Sequence, residues 1–284
     1  MLAADAGRGG QRLCLFHPAR NTPARGAVLY LHPFAEEMNK ARRMAALQSR
    51  ALADAGFDVL QLDLLGCGDS SGDFGDASWD AWVADALQGA RWLAQRSPAP
   101  LWLWGLRAGA LLASDVARRG ALDANFLFWQ PASSGKLLLQ QFLRLKAASR
   151  LTEGNARAVL DEARSDLAQG QAVHVGGYWL SSALAQGLEA ATLMPPSPPP
   201  AAGRRVVWFE VASRADATLA PASAAPIARW QQAGFEVHSA VVNGPPFWQA
   251  TEIEDAPALV AQSVQALSTR LPSGSAAATS PSAA

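Results

Sequence analysis

Residues 101–113 read LWLWGLRAGALLA, and the order of residue types there decides the architecture. Leu101 to Trp104 is a short apolar run, as a strand buried on both faces requires. Gly105-Leu106-Arg107-Ala108-Gly109 follows, and a helical pattern then runs from about Ala108 to Arg119, closed by Gly120. Strand, sharp Gly-x-x-x-Gly turn and helix is the setting in which G-x-S-x-G lifts a serine above a sheet. Here the central residue is Arg107, which stays protonated and is no nucleophile.

The same rhythm extends in both directions. Upstream, AVLYLH (27–32) is an apolar strand ended by Pro33, a helix spans about Lys40 to Ala55 with Gly56 at its C-cap, and DVLQLDL (58–64) leads into GCGDSSGDFGD. Trp79 to Gln95 reads as a helix, and Asn125 to Trp129 as a strand. Between 132 and 202 the alternation stops. Helical patterns appear at 136–150 and 180–193, separated by a polar stretch and followed by MPPSPPPAAG. Strands return at 205–211 and 235–242, with helices at 225–233 and 256–271. Short apolar strands alternating with helices specify an α/β fold with a mostly parallel sheet, flanking helices and an inserted helical cap. The expected organisation is a core of 12–131 and 203–271, a cap of 132–202 and a disordered tail of 272–284.

Composition narrows the function classes. The chain has 284 residues, no net formal charge, 50% hydrophobic residues and 17% charged residues. With no basic stripe, a nucleic-acid partner lacks its electrostatic footprint. Cys14 and Cys67 are too few for a disulfide framework or a zinc site, and neither a metal site nor a cofactor is implied. The N-terminus lacks the apolar stretch of a signal peptide. Arg107 interrupts the most apolar window before it reaches the ~20 residues that span a bilayer. The expectation is a cytoplasmic protein. Oligomeric state is not legible.

The ordered set of His32-Pro33-Phe34, DLLGCGDSSG (63–72), the elbow, a cap and two later strands resembles the α/β-hydrolase superfamily over about 12–271. HPFAEEMNKARRM (32–44), GLRAG (105–109) and NGPPFWQATEIEDAPALV (243–260) are most similar to the second hydrolase family associated with the exosortase A system. Relatives of that kind are encoded beside bacterial exopolysaccharide and PEP-CTERM protein-sorting genes. The resemblance implies partners from those systems and a serine triad, which this chain matches only in part. Arg107 fills the nucleophile slot, Asp216 in SRAD (213–216) the acid slot, and Asn243 to Trp248 the base slot, with no histidine from there onward. Without serine and histidine, the proton transfer that makes an acyl-enzyme has no agents.

The remaining candidates suit binding. The amide of Ala108 and one near Phe34, beside His32, are the expected oxyanion donors. A cation at the head of a helix needs a compensating anion. Glu36, Glu37 or Asp216 supply it internally, or a small anionic or acyl ligand supplies it under the cap. The leading expectation is a catalytically degenerate hydrolase fold that binds such a ligand. The alternatives are an ester or thioester hydrolase or acyltransferase with another nucleophile or with water directed by Asp216, and an interaction module that docks a partner through its cap.

Overall fold

The computed structural model describes residues 2–3, 10–149, 156–197, 201–214 and 216–269; the tail expected at 272–284 lies outside them. The strands are β1 (Leu2–Ala3), β2 (Gln11–Arg12), β3 (Cys14–His17), β4 (Gly26–Leu31), β5 (Phe57–Leu62), β6 (Leu101–Leu106), β7 (Ala124–Trp129), β8 (Val173–Val175), β9 (Tyr178–Leu180), β10 (Arg205–Ala212) and β11 (Glu236–Asn243). The helices are α1 (Glu36–Asp54), α2 (Trp79–Arg96), α3 (Ala108–Arg119), α4 (Gly135–Ser149), α5 (Ala156–Ala168), α6 (Ser182–Ala190), α7 (Ala224–Gln232) and α8 (Pro257–Ser268). Seven strands form the central sheet in the order β11-β10-β7-β6-β4-β5-β3. All neighbours run parallel except the edge pair β3–β5.

Alternate residues of each central strand enter opposite layers, as the two-residue period of a strand demands. Val28, Tyr30, Trp102, Trp104, Leu127, Trp129, Val207 and Phe209 pack with α1 and α8. Leu29, Leu103, Phe126, Phe128 and Trp208 pack with α2, α3 and α7. Trp104, Trp129 and Trp208 are essentially inaccessible, so these tryptophans are core and offer no stacking surface. Arg12 of β2 and Asp85 of α2 form a fully buried ion pair at 2.7 Å, and the same carboxylate accepts the Leu65 amide at 2.9 Å.

α4, α5, α6 and the β8–β9 hairpin lie in sequence between β7 and β10, and their apolar residues join the α2–α3 layer. The sequence pattern misses α5 and the hairpin, because α5 buries only Ala163 and Leu167 and strands of three residues are too short for a period to register. The edge strand β3 also escapes the pattern, with Leu15 and Phe16 both exposed. α1 begins at Glu36, four residues before the expected start at Lys40, because no side chain caps it and Ala35 turns the chain with φ 50° instead.

Candidate functional site

The elbow is built as the glycine spacing requires. A Cβ on Gly109 would lie 2.0 Å from the Leu31 carbonyl oxygen, and one on Gly105 would lie 2.4 Å from the Ala110 nitrogen. Neither clash can be relieved by a side-chain rotation, so β6, β4 and α3 approach this closely only through glycine. Between them Arg107 adopts φ 54°, ψ −114°, a strained backbone for any residue with a Cβ. Its amide donates to the Trp129 carbonyl at 3.0 Å and its carbonyl accepts from Ala110 at 3.1 Å and Ala132 at 3.3 Å. The surrounding turns therefore hold the strain.

Arg107 opens into a cleft of about 630 Å³ between the sheet's C-terminal edge and α4. Its lining is mixed, with Glu36, Glu37 and Lys40 from the first turns of α1 and Gln141 from α4 as polar groups, and Phe34, Leu138, Phe142, Leu145 and Trp248 as apolar ones. Phe34 and Phe142 meet edge-to-face at 5.0 Å, closing the floor where cap and core touch.

Arg107 Nε donates to Glu37 Oε1 at 3.3 Å, and the two side chains are only 14% and 21% exposed. Burial raises the Glu37 carboxyl above the usual carboxylate range, against the opposing pull of Arg107 and Lys40. Its Oε2 is buried without a hydrogen-bond partner, as is the indole nitrogen of Trp248. Trp248 lies in the loop after β11, where a base would be sought, and its ring centroid is 6.0 Å from the Arg107 guanidinium carbon. An aromatic face and a cation thus stand where a triad would place its base and nucleophile. Glu36 has a different commitment. Its Oε2 accepts the Tyr178 hydroxyl at 2.9 Å and the Asn39 amide at 3.1 Å, tying the β8–β9 hairpin to α1.

Four of the residues singled out from sequence meet in this cleft: Arg107, Phe34, Glu36 and Glu37. Ala108 is buried behind Arg107, and its amide, at the first turn of α3, has no intrahelical acceptor. His32 turns away. Its Nδ1 lies 2.8 Å from the Pro33 carbonyl and its Nε2 accepts the Leu64 amide at 3.5 Å, an arrangement suited to the neutral ring that burial favours. It braces the turns from inside the core. Asp216 stands apart too, paired with Arg214 at 3.0 Å on a surface where both are about three-quarters exposed. That partner lowers its carboxyl pKa, and no contact brings it to Arg107. Lys40 and Trp248 belong to the cleft; Trp248 closes the segment 243–248 expected as the base slot, and Lys40 carries no motif that singles it out. Their signal is position alone, one helical turn after Glu36 and five residues after β11.

Cys67 is buried, which pushes its thiol far above the ordinary range; it is no candidate nucleophile. Among the described residues no group of three or more His, Cys, Asp or Glu is arranged to hold a metal. No helix is long and apolar enough to cross a membrane.

Comparison with known proteins bears on the fold. A family model described as serine aminopeptidase, S33, matches residues 22–154, from before β4 into the cap. The human protein ABHD12B is 30% identical over 106 residues, which is 37% of this chain and 28% of that protein; the chain thus spans little more than a quarter of that relative. Among solved structures, the esterase Est1E from Butyrivibrio proteoclasticus with bound ferulic acid superposes with a TM-score of 0.62 at 15% identity, covering 92% of this chain and 94% of that one. A monoglyceride lipase variant from Saccharomyces cerevisiae gives a TM-score of 0.59 at 14% identity, covering 91% and 92%. At such identities the likeness is one of fold, and the fold is that of the α/β-hydrolases.

Proposed function

We propose that this α/β-hydrolase-fold chain is a binding protein in which the ancestral nucleophile position has become a ligand anchor. The reading rests on one observation. Arg107 holds the elbow conformation, φ 54°, while its guanidinium borders a cleft of about 630 Å³ lined in part by apolar side chains. That volume falls within the roughly 300–1,000 Å³ of small-molecule sites, and such sites combine apolar walls with a few placed polar groups. The ligand is an acyl or anionic compound with its polar end at Arg107 and its chain against Phe34, Leu138 and Phe142. The exposed Asp216–Arg214 pair and the tryptophan in the base slot disfavour hydrolysis by an alternative arrangement.

The likeness of HPFAEEMNKARRM, GLRAG and NGPPFWQATEIEDAPALV to exosortase-associated hydrolases supports a bacterial cytoplasmic role beside exopolysaccharide assembly or protein sorting. The test has two arms. Intact-mass analysis after treatment with a fluorophosphonate should show no adduct while an active hydrolase treated in parallel is labelled. Short acyl compounds should raise the melting temperature of the wild type and leave Arg107→Ala unmoved. A stoichiometric adduct, or ligand stabilisation that survives Arg107→Ala, refutes the reading.

A further inference from the structure

The identity of the ligand's head group follows from which polar atoms of the cleft are already satisfied. Its formal charges are Glu36 and Glu37 against Lys40 and Arg107, which cancel. Glu36 is held by Tyr178 and Asn39, and Lys40 Nζ reaches the Gln249 carbonyl at 3.3 Å. Glu37 and Arg107 are left side by side at 3.3 Å. Only Nε of Arg107 is used in that contact; the two terminal nitrogens of its fork have no protein partner among the described residues. Glu37 contributes an oxygen without a partner, and Trp248 an indole N–H without one. The Oε1 that receives Nε of Arg107 keeps a second lone pair, so the carboxylate can accept a further donor from the cleft without leaving the pair. The pair therefore presents donors next to an acceptor, with no net charge.

A carboxylate head would bring a second anion against Glu37 in a place with little water, and like charges sharing a site oppose each other's ionisation. An ammonium head would meet the same difficulty with Arg107 and Lys40. Displacing Glu37 to admit the anion, or Arg107 to admit the cation, would leave a buried charge uncompensated. An amide requires neither. Its carbonyl accepts from the guanidinium fork, its N–H donates to the Glu37 carboxylate, and the ion pair stays intact.

Resting on the binding reading above, we propose that the cleft selects an uncharged amide head group on an apolar chain, with the Glu37–Arg107 pair as the element that reads it. The raised carboxyl of Glu37 is consistent with this, since it reflects how little hydration the carboxylate retains.

Calorimetric titration of the intact protein with octanamide, octanoate and octylamine near neutral pH tests the assignment. Octanamide should bind at least about tenfold more tightly than octanoate, and octylammonium should not bind measurably. In Glu37→Gln the order of the first two should invert, because Arg107 then lacks its internal anion. Octanoate binding the wild type as tightly as octanamide overturns the amide assignment while leaving the binding reading intact. An unchanged order in Glu37→Gln overturns the part given to Glu37. If the wild type binds none of the three, the binding reading fails, and this assignment with it. The wild-type comparison decides the matter even where the variant does not fold.

Discussion

Replacing Arg107 by Ala removes one half of the cleft's ion pair and strands Glu37, a side chain only 21% exposed with one oxygen already lacking a partner. Breaking a fully buried pair costs about 3–5 kcal/mol, and losing a hydrogen bond to a charged group about 1.5–3 kcal/mol. Because neither side chain of the pair is fully buried, the lower range applies, and the expected destabilisation is about 1.5–3 kcal/mol near neutral pH. At roughly 2–4 °C per kcal/mol for a domain of this size, that is a fall of roughly 3–12 °C in melting temperature. The backbone strain at φ 54° does not enter the difference, since both residues carry a Cβ.

The pH dependence identifies the cause. Burial holds the Glu37 carboxyl above its ordinary range, and Arg107 is the first of the groups opposing that rise. A carboxyl whose pKa is higher folded than unfolded contributes stability below the unfolded value, and that contribution is lost as pH rises through the folded value. Without Arg107 the folded value climbs further, so the variant's deficit is largest near neutrality and shrinks on acidification. Urea unfolding of wild type and variant at about pH 7 and about pH 5 should show the deficit narrowing. In the Glu37→Gln background the pH-dependent part should vanish. A deficit of equal size at both pH values, or none at either, would refute the argument that Arg107 chiefly neutralises Glu37.

Three further outcomes are expected. Asp85→Ala leaves Arg12 charged and fully buried and the Leu65 amide without its acceptor, so urea denaturation should register a loss of about 3–5 kcal/mol; the combined Arg12→Met, Asp85→Leu variant should recover most of it, and a loss below about 1 kcal/mol in the single variant contradicts the pair's role. Arg107→Ser returns the hydroxyl to the elbow but faces Trp248 rather than a histidine, so fluorophosphonate labelling should stay at background, and rapid labelling would reveal a base not identified among these residues. Tyr178→Phe removes the hydroxyl that Glu36 accepts at 2.9 Å. It should cost about 0.5–1.5 kcal/mol and accelerate amide exchange across 173–180, whereas unchanged exchange would mean the hairpin is held by its apolar contacts alone.

The layered fold was legible in the linear sequence because its signals are local. Central strands covered on both faces read as unbroken apolar runs, such as Val28 to Leu31 and Phe126 to Trp129, and the glycines of the elbow announce an approach that admits no Cβ. The absence of serine and histidine from their slots is likewise a property of residue order alone. The start of α1 was not legible, since Ala35 belongs to no capping pattern. Nor was α5, whose buried face is two residues wide.

The candidate site divides along the same line. Sequence places Arg107, Phe34, Glu36 and Glu37 in loops at one edge of the sheet, because strand ends are countable. It also nominates His32 and Asp216, and there the count misleads: a slot fixes where a residue sits on the chain but not which way its side chain turns. Tertiary packing turns His32 into the core, gives Asp216 to Arg214 at the surface and brings Trp248 over to the elbow. Above all, it chooses Glu37 over Glu36 as the partner of Arg107, seventy residues away, because Glu36 is already held by a tyrosine from the cap. Periodicity and glycine spacing act between near neighbours and are written along the chain, whereas the pairing of distant charges is decided only when the layers close and each buried group must find a partner.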